Sequence, residues 1–106
     1  MKGVKLMKST INLYDFRRGF ETMDRNNHFS YEGLEALFEY LEQFEDDTGQ
    51  EVEFDVIALC CEYTEYDNLK ELQEAYSDEY KTLEYLEDTT QVIRIPDTER
   101  FIILDF

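Results

Sequence analysis

The chain has 106 residues and a formal net charge of −16, with 26 Asp and Glu against 10 Lys and Arg. Eight Phe and eight Tyr exclude a disordered acidic tail, which combines high charge with few aromatics, and the length fits one domain, residues 1–106, able to bury a core without metal or disulfide. The sign of the charge argues against direct binding of nucleic acid and for a partner with a strong positive field.

Residues 1–8 read either as a short strand through Val4 and Leu6 or as a loose lead-in. This start lacks the apolar core of a signal peptide, and no apolar stretch is long enough to cross a bilayer, so the expectation is a cytosolic protein with no membrane contact. Asn12 followed by Asp15 is a helix start, and Leu13, Phe16, Phe20 and Met23 recur at helical steps as one buried face. The run DRNNH is turn chemistry. Ser30 then caps a second helix reaching about residue 47, with Gly49 placed to end it and Leu34, Leu37, Phe38, Leu41 and Phe44 as its apolar stripe.

From Glu51 the period changes. Val52, Phe54 and Val56 alternate with acids before VIALCC continues apolar, which predicts a strand over 52–61 entering a covered sheet. In that setting Cys60 and Cys61 point to opposite faces, which disfavours a bridge between them, and they read most simply as small buried hydrophobes in a reducing compartment. Thr64 with Asp67 three residues on resembles a capping box for a third helix through Leu69, Leu72 and Tyr76, and a shorter helical piece holds Tyr80, Leu83 and Leu86. QVIRIPDTERFIILDF reads as two strands, 91–95 and 101–106, about a turn at Pro96, Asp97 and Thr98. The predicted class is α+β: a small sheet of three to four mostly antiparallel strands packed with three to four helices.

Charge is unevenly placed along these elements. Residues 1–25 hold six basic side chains against three acidic ones, whereas residues 26–93 hold twenty acids against Lys70 and Lys81 alone. On the second helix Glu32, Glu35, Glu39, Glu42 and Asp46 step by three and four, forming one stripe beside the apolar one. Over ~21 Å of helix this places a carboxylate about every 4–5 Å, close to the ~3.4 Å spacing of phosphates along one DNA strand. A run of Glu on an amphipathic helix is ordinarily a solvated face, but such faces usually mix Lys among the Glu, because like charges at i,i+4 repel. The third helix carries a lesser set in Glu71, Glu74 and Asp78. These eight carboxylates are the candidate partner-binding residues.

Catalytic and metal signatures are weak. Residues 24–35, DRNNHFSYEGLE, have the flavour of a calcium loop, but Phe29 stands where the sharp turn needs Gly and His28 where an oxygen ligand is needed. His28 is the sole histidine and reads as a turn residue, and no nucleophile constellation, shared metal cluster or phosphate loop is present in the sequence. No catalytic residue, metal or cofactor is therefore assigned. Seven Tyr interleave with the acids, a composition suited equally to interfaces and to the edge of a core.

The stretch FDVIALCCEYTEYDNLKELQEAY, with the preceding FSYEGLEALFEYLEQFEDDTG, resembles small acidic proteins encoded by bacteriophages and other mobile elements, over roughly residues 29–106. The resemblance implies a bacterial cytoplasmic setting and membership of the anti-defence DNA mimics, antirestriction or anti-CRISPR, whose targets are nucleic-acid-binding restriction enzymes or CRISPR effectors. The expectation is a non-enzymatic inhibitor. Its alternatives are an adaptor using Tyr-rich and apolar patches, with acidity serving solubility, and an acidic metal-binding module.

Overall fold

A computed structural model describes residues 12–25 and 27–106, so the expected strand or lead-in at 1–8 lies outside the described residues. The elements in order are α1 (Leu13–Thr22), α2 (Tyr31–Thr48), α3 (Val56–Glu62), β1 (Tyr63–Tyr66), α4 (Leu69–Ala75), α5 (Leu83–Glu87), β2 (Val92–Arg94) and β3 (Phe101–Leu104). The α+β class holds, with five helices described and a three-stranded antiparallel sheet of order β1-β3-β2.

Both long helices begin where their caps predict. Asn12 and Asp15 form a full capping box on α1, and Ser30 accepts the Gly33 N–H on α2, which ends on Gly49 in the left-handed region. Phe16 and Phe20 of α1 are fully buried, but Met23 is the C-cap and is half exposed. On α2 the expected stripe holds through Leu41 and then turns: Phe44 is 40 % exposed while Glu45 is 7 % exposed. The swap has a polar cause, because Glu45 Oε2 accepts the Val52 N–H at 2.6 Å and so ties the chain after Gly49 back to the helix.

The strand predicted over 52–61 is the main correction. Only Glu53 makes an isolated bridge, and Val56–Glu62 is α3, opened by Asp55, whose side chain accepts the Ala58 N–H. Val56 and Leu59 are buried three residues apart while Ile57 and Cys61 are exposed, a helical pattern inside an apolar run too short to declare its period. The cysteines accordingly lie about 100° apart on a helix, with Cys60 half-buried and Cys61 exposed, so Cys61 is not a core residue.

The capping pair assigned to Thr64 and Asp67 is also displaced. Thr64 lies in β1 and donates to Asp105 Oδ2 at 3.0 Å, and α4 is capped by Asn68, which accepts the Glu71 N–H. The last two strands match expectation more closely. The turn between them places Asp97 at φ 64° and is held by Ile95 and Arg100 pairing at 3.1 Å.

β3 runs through the centre of the sheet, and its alternate side chains feed two cores. Ile102, with Ile93, Ile95 and Tyr63, packs under Phe16, Phe20, Leu37 and Leu41 of α1 and α2. Phe101 and Ile103 face the other way onto Leu72 of α4 and Leu86 of α5. The sheet is therefore a middle layer, with α1, α2 and α3 on one face and α4 and α5 on the other.

Candidate acidic interface

The 18-residue α2 carries the longest acidic stripe on one rigid element. Glu32, Glu35, Glu39 and Asp46 are exposed and Glu42 is half-buried, so the five carboxylates share the outer flank of the helix as their spacing predicts.

Its N-terminal half is neutralised in part. Arg100 from the β3 entry meets Glu32 at 3.0 Å, and Arg17 of α1 lies 3.6 Å from Glu35. Arg17 is itself fixed, since its guanidinium lies 3.4 Å over the Tyr31 ring and donates to the Tyr31 carbonyl at 2.8 Å. Glu32 is held below the usual carboxylate range first by its own backbone N–H in the first turn, against desolvation, with Arg100 and then Arg17 adding to the lowering. Farther along, no cation among the described residues pairs with Glu39 or Glu42.

The second acidic set stands elsewhere. Glu71, Glu74 and Asp78 are exposed, but they belong to α4 and its C-terminal exit, across the sheet from α1 and α2. Glu71 also has a local duty, because its Oε1 accepts the Asp67 N–H at 2.9 Å. The eight candidate carboxylates thus form two surfaces, and only the α2 set is a linear array. Near α5, Glu84 and Glu87 clamp Arg94 at 3.3 and 3.5 Å, which removes that pair from any free acidic face.

The end of the sheet nearest the α2 N-terminus gathers Glu65, Asp67, Glu71, His28, Tyr31 and Arg100 around a polar recess of about 420 Å³. Within it His28 bridges turn and sheet, its Nε2–H donating to the Tyr63 carbonyl at 3.1 Å. Glu65 is the buried member, accepting the Ser30 N–H at 2.8 Å, with Arg100 Nε 3.7 Å away. These contacts are structural: they tie β1 to the start of α2. Among the described residues no group of three or more His, Cys, Asp or Glu is arranged to hold a metal ion.

Sequence reasoning missed a different set of acids. Glu53, Asp55 and Glu62 rim an apolar groove between α2 and α3, floored by side chains that include Tyr40, Phe44, Ala58 and Leu59. Nothing in the linear spacing of 53, 55 and 62 signals this, because a helix was needed at 56–62 to bring them to one rim.

No protein-family model matches the chain, and no curated protein or solved structure is significantly similar to it. Among the described residues no helix is long and apolar enough to cross a membrane.

Proposed function

We propose that this protein is a non-enzymatic inhibitor of a nucleic-acid-binding defence nuclease, a CRISPR effector or a restriction enzyme of a bacterial cytoplasm, acting by DNA mimicry through the outer flank of α2. The observation that carries the reading is the single-sign array of exposed or half-exposed carboxylates at Glu35, Glu39, Glu42 and Asp46 along one 18-residue helix. Such an array suits a Lys/Arg-lined channel, and the target's own field would accelerate association and make it strongly salt-dependent. The internal pairs Arg100–Glu32 and Arg17–Glu35 orient the near end of the array. Glu71, Glu74 and Asp78 form a second patch on the other side of the sheet, available to a channel that wraps the molecule but not to a flat contact with α2.

The adaptor reading has its own support. Tyr76 stacks on Phe106 at 4.4 Å, and Tyr80 lies edge-on to the same ring at 5.7 Å and 5.6 Å from Tyr85. Tyr85 and Phe106 are each 47 % exposed, so this aromatic cluster offers an interface of another chemistry.

Affinity capture from a bacterial lysate, followed by competition with nucleic acid, tests the primary reading. The captured target should bind this protein or its nucleic acid but not both, and Glu39→Lys with Glu42→Lys should abolish inhibition. A ternary complex of target, nucleic acid and this protein, or a charge-reversed variant with full activity, would reduce the stripe to a solvated face.

A further inference from the structure

The groove between α2 and α3 combines two properties that the acidic stripe lacks. It has an apolar floor, in which Phe44 is 40 % exposed and Val52 and Leu104 are half-buried, and it encloses about 430 Å³. Its rim is acidic, with Glu53 and Glu62 exposed and without a cation partner among the described residues. Asp55 is oriented by the Ala58 N–H it accepts and keeps its charge, so the rim carries three carboxylates, of which Glu53 and Glu62 are the two not tied to the backbone.

We propose that this groove is a docking site for a basic amphipathic segment of a partner protein, its apolar side chains seated on Phe44, Ala58 and Leu59 and its Lys or Arg side chains on Glu53 and Glu62. Charge complementarity selects that occupant. An anionic ligand or nucleic acid would meet three like charges at the rim, and a second copy of this chain brings a further net charge of −16. A purely basic segment would leave the apolar floor wet, whereas alternation of apolar and basic residues fills the floor and pairs the rim. Buried Tyr63 beside Leu104 makes the inner wall. Burial, with Tyr40 and Glu62 adding repulsion, raises its phenol to about 12, so this wall stays neutral at any ordinary pH.

The groove is independent of the stripe. Tyr40 and Phe44 project from α2 roughly 140° round the helix from the centre of the Glu32 to Asp46 row at 100° per residue, so substitutions on one flank leave the other intact.

The test uses the full chain and three short labelled peptides: an alternating Leu/Lys peptide, an all-Lys peptide and a Leu/Glu peptide. Binding is followed by anisotropy and by amide chemical shifts. The Leu/Lys peptide should bind at physiological salt with shifts concentrated at Phe44, Ala58, Leu59 and Leu104, and affinity should fall about tenfold or more in Ala58→Arg, which fills the floor and adds a like charge to the ligand. Glu53→Lys with Glu62→Lys, confined to exposed positions, should do the same and covers the case in which Ala58→Arg fails to fold. Glu39→Lys with Glu42→Lys should weaken this binding far less than the rim reversal does, because those side chains leave α2 on the other flank and touch neither floor nor rim, and the difference should narrow further at high salt. Loss of nuclease inhibition in that stripe variant with peptide binding retained would separate the two surfaces. Equal binding of the all-Lys or Leu/Glu peptide, shifts centred on the α2 stripe, or groove shifts that appear on concentration of the protein alone would overturn the proposal.

Discussion

The carboxylate of Glu65 in β1 accepts the backbone N–H of Ser30, the N-cap of α2, at 2.8 Å. A strand residue 35 positions away thereby completes the capping of the longest helix, satisfying a donor that the helix leaves open. Gly33 permits it: a Cβ there would collide with Glu65 Oε1 and stand 2.9 Å from Ser30 Oγ. The absence of a side chain at Gly33 is a packing requirement, since both caps occupy the space.

Glu65→Ala should cost about 2–3 kcal/mol, because it orphans the Ser30 N–H and leaves the buried Arg100 Nε without its carboxylate. Ser30→Ala should cost about 1 kcal/mol through the lost cap alone. Gly33→Ala gains helix propensity but displaces Glu65, and a net loss of roughly 1 kcal/mol is expected. Denaturant unfolding of the three variants checks the order, and a stabilised Gly33→Ala would show that Glu65 can move at no cost.

Gly19 is the second position where a missing side chain matters. Its Cα side faces the Phe54 ring, and a Cβ would lie 2.6 Å from Phe54 Cζ. Phe54 in turn meets Phe16 at 5.1 Å and Phe20 at 6.2 Å between ring centroids. Gly19→Ala should force the ring out and destabilise by about 1–3 kcal/mol, and Phe54→Ala by about 2–3 kcal/mol, less than the ~3–5 kcal/mol of a fully buried aromatic because the ring is only partly buried. The double variant should cost less than the sum, since one ring carries both effects.

Alkaline pH should weaken the fold. Burial holds the Tyr63 phenol protonated to about 12, and raises Tyr40, Tyr66 and Tyr80 in the same direction. In the unfolded chain a tyrosine loses its proton near pH 10, so between about 10 and 12 the unfolded state binds fewer protons than the folded one and stability falls as pH rises. The contribution is fully present below pH 10. Tyr63 alone should account for roughly 2 kcal/mol of that fall, and Tyr63→Phe should flatten the profile by that amount when unfolding is measured at each pH.

Charge reversal on the α2 flank should leave the fold unharmed. Glu39→Lys with Glu42→Lys relieves repulsion between like charges at helical spacing and places opposite charges beside Glu35 and Asp46, so a change of about 0 to +0.5 kcal/mol is expected. Any gain should shrink at high salt. Glu35→Lys differs, because it faces Arg17 at the distance of the present ion pair and should lose stability instead. Melting temperatures at low and high salt separate the two cases.

Local chemistry was sufficient for the two long helices, because a side-chain cap, a long run of apolar residues at helical steps and a Gly stop act within one segment, as at Asn12, Ser30 and Gly49. It was also sufficient for the two C-terminal strands about the Pro96 turn and for the acidic row on α2, whose common flank follows from spacing alone. The run VIALCC was decided by tertiary context. Asp55 is a local cap there, but six apolar residues satisfy either period, and the helix is settled by which side chains α2 and the sheet can bury. The burial of Glu45 in place of Phe44 was likewise invisible until residues 50–52 folded back to offer an N–H. The sheet, by entering the middle of the molecule, divides the acids of α2 from those of α4, while the helix at Val56–Glu62 brings Glu53 and Glu62 to one apolar groove. Charge is counted along the chain, but the surface it forms depends on which layer each helix occupies, and that is set by non-local burial on the two faces of β3.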